Sequence, residues 1–334
     1  MTGLFAVCRR LPALVVAAGL LAGCTSAGWP WQSASPTTGA SVSPSPSAAP
    51  SPSATPPSSA TPRSTAPITY ATGATDLVIR AASGGGLLPL EMRVTEMPDL
   101  SLFGDGSAIR VAAQGWGPDE PLLPKLVVAT VTPEGMARIL AAARDVGLLG
   151  SDRHYEMRDV YDLWTTWFLV VADGQTHQVS AYALGFSEED RFAPAEDLPA
   201  RHALADFFGR IHGLRDWLGA DTVSADEPYV PRRLRVFLTP DLERPAPGGS
   251  SVPVTPAPGQ DVRAWPLATA PGSFGALAGA SWAPWRCGVL ETAEAAPFAF
   301  GTATNATRWA QGGVLYRLAI RPLLPDEEGC PDLG

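Results

Sequence analysis

The chain of 334 residues carries a formal net charge of −9, and hydrophobic residues make up 46% of it. The hydrophobic content is ample for a core, and the length allows one large domain or two small ones behind an N-terminal segment. The negative charge argues against nucleic acid as a partner and against adhesion to anionic lipid, because both attract basic patches. We therefore predict no nucleic-acid partner.

Residues 1–23 have the layout of a bacterial secretory signal. Arg9 and Arg10 form a positive segment, and the apolar stretch that follows is shorter than the roughly 20 residues of a membrane-spanning helix. The stretch ends in Leu-Ala-Gly before Cys24, which resembles the lipobox of bacterial lipoproteins. The resemblance implies cleavage before Cys24 and attachment of lipid to its thiol. A plain signal peptide, in which Cys24 is incidental, stays the alternative.

Residues 24–66 consist mostly of Ser, Pro, Thr and Ala. Such a segment has too little apolar side chain to offset the entropy of ordering, so we predict a disordered tether. It would reach roughly 35 to 40 Å as a flexible coil and about 130 Å when fully extended. Palmitate-type acyl chains on Cys24 would hold the protein at the extracytoplasmic face of the cell membrane. The membrane is therefore the first predicted partner.

The four cysteines divide between the N-terminal segment and the folded domain. Cys8 leaves with the signal peptide, and Cys24 is the predicted lipidation site. Two cysteines in an exported domain most often form a disulfide, so Cys287 and Cys330 are predicted to pair. No His or Cys stands at ligand spacing from either, which argues against a metal site there.

Two Asp-Gly pairs stand between β-prone runs in residues 67–334. Aspartate and glycine tolerate the positive φ of a tight turn, so residues 104–106 and 172–175 predict hairpins. An amphipathic helix follows each hairpin, the first starting with Thr132 as N-cap and the second centred on residues 204–211. The prediction is an α+β domain, a mostly antiparallel sheet with the two helices on one face. The predicted strands are 76–82, 100–103, 108–112, 126–131, 166–171 and 176–183.

The last third of the chain is richer in Pro and Gly and predicts a C-terminal β region. Strands are expected at 234–238, where β-prone residues are continuous, and at 314–321, where apolar residues alternate. A single domain over residues 67–334 is favoured. A subdomain boundary near residue 225 stays the alternative.

Three short motifs in the domain carry a resemblance to other secreted proteins. Residues 100–106 end in Gly-Asp-Gly, residues 131–135 (Val-Thr-Pro-Glu-Gly) open a helix, and residues 171–174 end in Asp-Gly. In this order they resemble uncharacterised actinobacterial secreted lipoproteins, and a broader class of small secreted domains of unknown function. The resemblance implies an exported α+β domain. It brings no catalytic residue.

Acidic side chains and a histidine are concentrated between residues 152 and 162. Oxygen donors on a loop suit Ca²⁺, but the spacing is not that of an EF-hand, and a solvated loop is favoured. The other three histidines are expected to be solvated or singly hydrogen-bonded, so no metal and no cofactor is predicted. The acidic group is Asp152, His154, Glu156, Asp159 and Asp162, and the other histidines are His177, His202 and His212.

Six tryptophans of the domain have two interpretations. They fill a core or cover the sheet, which is favoured, or they form a surface on which sugar rings of the cell wall stack. Exposure of several of them side by side would support the second interpretation. They are Trp164, Trp167, Trp265, Trp282, Trp285 and Trp309.

No catalytic residue is assigned, because the sequence contains no nucleophile elbow, Walker loop, zinc-protease helix or Cys-x-x-Cys pair. The leading hypothesis is a non-enzymatic envelope module that binds a cell-wall polymer or an envelope protein. One alternative is an envelope hydrolase, which requires a deep pocket joining Asp159 or Asp162 with a histidine. The other is an extracytoplasmic divalent-metal-binding protein.

Overall fold

The two Asp-Gly turns each join neighbouring strands of the larger of two sheets. The computed structural model describes residues 66–243, 252–278 and 285–331, all within one compact unit that runs from Ser64 to Gly334. Gly106 and Gly174 have φ of 87° and 71°, and Asp173 has φ of 52°, the left-handed conformation that these residues adopt most readily. Both hairpins are therefore formed by the turn chemistry that predicted them.

The larger sheet, sheet 1, has eight strands in the order β5-β7-β6-β1-β2-β3-β4-β8. All its pairs are antiparallel except β5 with β7. Its strands agree with those predicted from the hydrophobic pattern, apart from the two short edge strands β5 and β8. The strands are β1 (Leu77–Gly84), β2 (Leu100–Phe103), β3 (Ser107–Ala113), β4 (Lys125–Thr130), β5 (Arg153–Tyr155), β6 (Thr165–Ala172), β7 (Gln175–Tyr182) and β8 (Glu227–Pro228).

The two long helices pack on the same face of sheet 1. Their apolar stripes, which include Ile139 and Phe207, meet Phe168 and its neighbours in one buried cluster. The Thr132 hydroxyl accepts a hydrogen bond from the N–H of Gly135, so the predicted N-cap is present. The α+β class is confirmed. The helices are α1 (Leu90–Thr95), α2 (Pro133–Asp145), α3 (Glu189–Phe192), α4 (Leu198–His212), α5 (Leu214–Leu218) and α6 (Thr292–Ala295).

The smaller sheet, sheet 2, is the predicted C-terminal β region. Its six strands lie in the order β12-β15-β16-β9-β14-β13, and its core is a cluster of aromatic rings that includes Trp265, Phe298 and Trp309. β10 and β11 pair separately. The strands are β9 (Arg233–Pro240), β10 (Leu242–Glu243), β11 (Val252–Pro253), β12 (Val262–Ala264), β13 (Ala276–Leu277), β14 (Arg286–Glu291), β15 (Arg308–Gln311) and β16 (Val314–Pro322).

The C-terminal segment that follows β16 connects the two sheets. Asp326 lies 2.7 Å from Arg80 of β1, and Glu327 forms a bidentate pair with Arg321 of β16. A disulfide joins Cys330 to Cys287 of β14, with the Cα atoms 5.9 Å apart. The predicted cysteine pair thus fastens this segment to sheet 2, while its carboxylates reach sheet 1.

The chain passes from sheet 1 to sheet 2 between β8 and β9, close to the alternative boundary near residue 225. The predicted signal peptide, the lipidation site Cys24 and nearly all of the predicted tether lie outside the described residues. Within the described part of the chain, no helix is long and apolar enough to cross a bilayer.

Candidate functional site

The side chains of the acidic group at residues 152–162 are not brought together into one site. The carboxylate of Asp152 accepts a hydrogen bond from the backbone of β7, and His154 is hydrogen-bonded to a serine hydroxyl of the same strand. Asp159 and Asp162 are exposed loop residues with positive φ. Among residues 66–243, 252–278 and 285–331, no three His, Cys, Asp or Glu side chains are arranged to hold a metal ion.

The other histidines have local partners. His177 is hydrogen-bonded to the carbonyl of Gly150 at 2.8 Å. His202 lies 3.3 Å from Asp190, and His212 lies 3.6 Å from the carboxylate of Asp99. Each histidine therefore belongs to a different part of sheet 1 and its helices.

The tryptophans divide between core and surface. Trp265 and Trp309 are buried in the aromatic core of sheet 2, and Trp285 is buried beside the disulfide. The favoured interpretation, in which the rings fill a core, is confirmed for these three. Trp164 and Trp167 are exposed. Trp282 lies outside the described residues.

Trp164 and Trp167 belong to an exposed apolar surface at one end of sheet 1. Two loops meet there, since a Cβ added to Gly86 would come within 3.0 Å of the Asp162 carbonyl oxygen. Both tryptophans and two further large apolar side chains of these loops are exposed. We call this surface the aromatic patch; it comprises Leu87, Tyr161, Trp164 and Trp167.

A cleft of about 280 Å³ lies where sheet 2 meets α1 and the loop between β3 and β4. The helix contributes Glu91, and the loop contributes Gln114 and Trp116. Sheet 2 contributes Arg317 of β16, together with Trp285 just before β14. The cleft thus combines two indole rings with amide, carboxylate and guanidinium groups, which is the mixture of apolar walls and few polar groups found in ligand sites.

The loop that carries Trp116 is held in place by the turn that precedes β15. The side-chain amide of Asn305 donates hydrogen bonds to the carbonyls of Gly115 and Gly117, on either side of the tryptophan. A Cβ at Gly115 would lie against the side chain of Glu120, which would have to move aside. The indole of Trp116 is consequently presented at the cleft from a fixed backbone, and the residue is 39% exposed.

A row of alternating charges runs along one side of the cleft. Asp241 lies between two arginines, with its carboxylate oxygens 2.6 Å from Nε of Arg308 and 3.3 Å from Nε of Arg317. Glu91 lies 3.6 Å from Nη1 of Arg317. Arg308 also donates to backbone carbonyls, whereas Nε of Arg317 is buried and has no hydrogen-bond partner among the described residues. The Arg317 side chain as a whole is 42% exposed, so its terminal amino groups are the donors that a ligand can reach.

A second, smaller cleft of about 160 Å³ lies between α2 and α4 and is lined by residues such as Phe207 and Arg210. Neither of these two clefts is lined by Asp159, Asp162 or a histidine. The pocket that the hydrolase alternative requires is thus not one of them.

Sequence reasoning missed Trp116, Glu91 and Arg317. One local feature of the sequence could have indicated that Trp116 is exposed. The residue stands between two glycines in a loop rich in Pro and Gly, where few neighbouring side chains can cover a large ring. Glu91 and Arg317 are more than 200 residues apart in sequence, and only the packing of α1 on β16 brings them together.

No family model, no curated protein and no solved structure matches the chain. The likeness to secreted actinobacterial lipoproteins therefore rests on the lipobox-like segment and the turn motifs alone.

Proposed function

We propose that the chain is a lipid-anchored exported protein whose folded unit binds a saccharide polymer of the cell envelope, without acting on it as an enzyme. The anchor and location are supported by the lipobox-like segment before Cys24 and by the long tether behind it. Binding is supported by one observation: the exposed indole of Trp116 lines a cleft that also holds the guanidinium of Arg317.

The chemistry of a sugar ring suits this combination. The C–H groups on one face of a pyranose pack against an aromatic ring, while its hydroxyls need donors and acceptors around the edge. Trp116 supplies the ring, and Arg317, Gln114 and Glu91 supply the polar groups. The volume of about 280 Å³ lies just below the usual ligand range of about 300 to 1,000 Å³, which suits a single ring of a longer polymer.

Binding rather than hydrolysis is supported by the carboxylates. Glycosidases place two carboxyl groups on either side of the scissile bond. Among the described residues that line the cleft, Glu91 is the single carboxylate, and it lies beside Arg317. The cleft thus holds half of the pair that such a reaction uses.

The binding part is tested by sedimenting the full chain, in detergent, with insoluble cell-wall polysaccharide. Loss of the stacking ring in Trp116→Ala should weaken binding about tenfold, the effect of removing roughly 1.4 kcal/mol of contact. Trp164→Ala is the matched control, because Trp164 is 41% exposed but belongs to the aromatic patch. Equal binding by wild type and Trp116→Ala would contradict the proposal, and loss in Trp164→Ala alone would move the site to the aromatic patch.

The anchor is tested separately with Cys24→Ser in cells. Without the thiol, the protein should be released into the medium or accumulate as an unprocessed precursor. Cell fractionation with immunoblotting measures both outcomes. Mature Cys24→Ser protein that still fractionates with membranes would contradict lipid anchoring.

The divalent-metal alternative has its own measurement. Calorimetric titration of the full chain with Ca²⁺ and with Zn²⁺ should give no heat of binding and no shift of the melting temperature. A saturable heat with either ion would favour the metal-binding alternative.

A further inference from the structure

We infer that the cleft selects electrically neutral saccharides and discriminates against acidic ones. This inference rests on the proposed function and names the class of ligand for the same site. It follows from the charges at the cleft, from their partners and from the formal charge of the chain.

The charges in and behind the cleft cancel. Among the described residues, the charged side chains that line it are Glu91, Arg308 and Arg317, and Asp241 lies directly behind them. Two guanidinium groups thus face two carboxylates. Arg308 and Asp241 are each 15% exposed and bonded to each other, so neither offers a free charge to a ligand.

Arg317 and Glu91 are the pair that a ligand meets. Their side chains are 42% and 45% exposed, and Nη1 of Arg317 lies 3.6 Å from the Glu91 carboxylate, within ion-pair distance but beyond hydrogen-bond distance. An exposed pair of this kind contributes little to stability, so a ligand can insert between its members at small cost. One hydroxyl of a sugar can accept from Arg317 while a neighbouring hydroxyl donates to Glu91.

An acidic ligand meets a different situation at the same atoms. A carboxylate or phosphate that approaches Arg317 also approaches Glu91, which lies 3.6 Å from the guanidinium. The repulsion of Glu91 offsets the attraction of Arg317, and the formal charge of −9 on the whole chain adds to it. A neutral sugar loses nothing to this repulsion.

The test compares two soluble oligosaccharides of equal length, a neutral oligomer of N-acetylglucosamine and an acidic oligomer of galacturonate. Binding to the full chain in detergent is measured by calorimetry at low and physiological salt. The neutral oligomer should bind at least about tenfold more tightly, with little dependence on salt. Trp116→Ala should weaken binding of the neutral oligomer about tenfold.

Two charge variants assign the selectivity to the cleft. Glu91→Gln removes one flanking carboxylate and should tighten binding of galacturonate about fivefold or more, while the neutral oligomer changes less than about threefold. Glu156→Gln is the control, because it makes the same change in net charge at an exposed carboxylate that does not line the cleft.

The outcomes separate the inference from the proposed function. Galacturonate that binds as tightly as the neutral oligomer, with binding lost in Trp116→Ala, would overturn the inference and leave the proposed function standing. An equal gain in Glu91→Gln and Glu156→Gln would also overturn it, because the effect would then be one of total charge. Failure of both oligomers to bind, or binding that Trp116→Ala does not weaken, would contradict the proposed function itself.

Discussion

Sheet 1 and sheet 2 are stabilised in different ways. Sheet 1 buries one face under the 13-residue helix α2 and the 15-residue helix α4, and two tight hairpins join β2 to β3 and β6 to β7. Sheet 2 is packed mainly by aromatic side chains from its own strands and turns, and a disulfide fastens the segment that follows it.

The two sheets thus depend on different kinds of interaction. In sheet 1, the turn residues and helix caps favour locally the same hairpins and helices that the adjoining strands form in the fold. In sheet 2, the central strand β9 pairs with strands from distant parts of the chain, as where its Val236 pairs with Ile320 of β16. The cleft lies where sheet 2 meets α1 and a loop that leaves sheet 1, so its geometry depends on both modes of stabilisation.

The largest expected effect concerns a buried ion pair beside sheet 1. Arg201 of α4 is fully buried, pairs with Glu189, and donates to the carbonyls of Tyr155 and Tyr182. Arg201→Met leaves Glu189 buried without its cation, so the free energy of unfolding should fall by about 3 to 5 kcal/mol. Urea unfolding measures the change. Arg191→Ala, which removes an exposed pair with Glu188, should cost less than about 1 kcal/mol; equal losses would contradict the assignment.

The disulfide should have a slightly smaller effect, and its effect should fall on sheet 2. Cys287 and Cys330 are 43 residues apart, and closing a loop of that length contributes up to about 4 kcal/mol. The double variant Cys287→Ala/Cys330→Ala should lose this much free energy of unfolding. Its hydrogen-exchange protection should fall in β14 before it falls in α4. Reductant should destabilise the wild type but leave the double variant unchanged. Uniform loss of protection would contradict the distinction between the sheets.

Glu327 joins the two sheets and should make stability depend on acid. Burial raises the pKa of its carboxyl, but the hydrogen bonds and charge of Arg321, the N–H of Leu324 and the charge of Arg80 outweigh it, so the pKa lies below its usual value. Its contribution is present above the unfolded pKa of about 4.3 and is lost as the pH falls through the folded value.

Glu327→Gln removes this carboxylate with little change of shape. It should cost about 2 kcal/mol at neutral pH and flatten the fall in stability below about pH 4. Denaturant unfolding at a series of pH values measures both. Glu156→Gln should leave the profile unchanged, and an unaltered acid limb in Glu327→Gln would contradict the role of this carboxylate.

Removal of the N-cap of α2 should have a moderate effect. Thr132→Ala deletes the hydroxyl that accepts from Gly135 and should cost about 1 kcal/mol in unfolding free energy. Thr132→Ser keeps the hydroxyl and should stay within a few tenths of a kcal/mol of wild type. Equal stability of the alanine and serine variants would show that the cap does not matter.

The smallest effect concerns His212 at the end of α4. Asp99 raises the pKa of His212 above its usual value, although burial opposes the shift, and the Phe208 carbonyl adds to it. The contribution is fully present below the unfolded pKa of about 6.5 and is lost as the pH rises through the folded value. Because the side chain is partly exposed, it should be below about 1 kcal/mol. NMR titration should show the raised pKa falling in Asp99→Asn, and no change would contradict the pairing.

Sequence predicted sheet 1 well because its determinants are local. Asp173-Gly174 favours a tight turn, and Thr132-Pro133 favours the start of a helix; neither preference depends on tertiary contacts. The short edge strands β5 and β8 were missed, since two or three residues carry no periodicity and pair only because a neighbouring strand is available.

The cleft could not be predicted from the sequence, because its residues are brought together only by tertiary packing. Its groups come from α1, from an irregular loop and from β16, and pairings such as Glu91 with Arg317 leave no pattern at any fixed spacing. The favoured prediction for Trp285 was a core position, and the ring is indeed buried, but its place at the wall of the cleft was not predicted. Trp116, the residue on which the proposed function depends, was not named.

The most direct test of the central claim is a crystal structure of the full chain with a neutral N-acetylglucosamine oligomer. We predict one sugar ring packed on the indole of Trp116, with neighbouring hydroxyls bonded to Arg317 and Glu91. A sugar bound at Trp164 and Trp167 of the aromatic patch instead, or a cleft left empty at saturating oligomer, would contradict it.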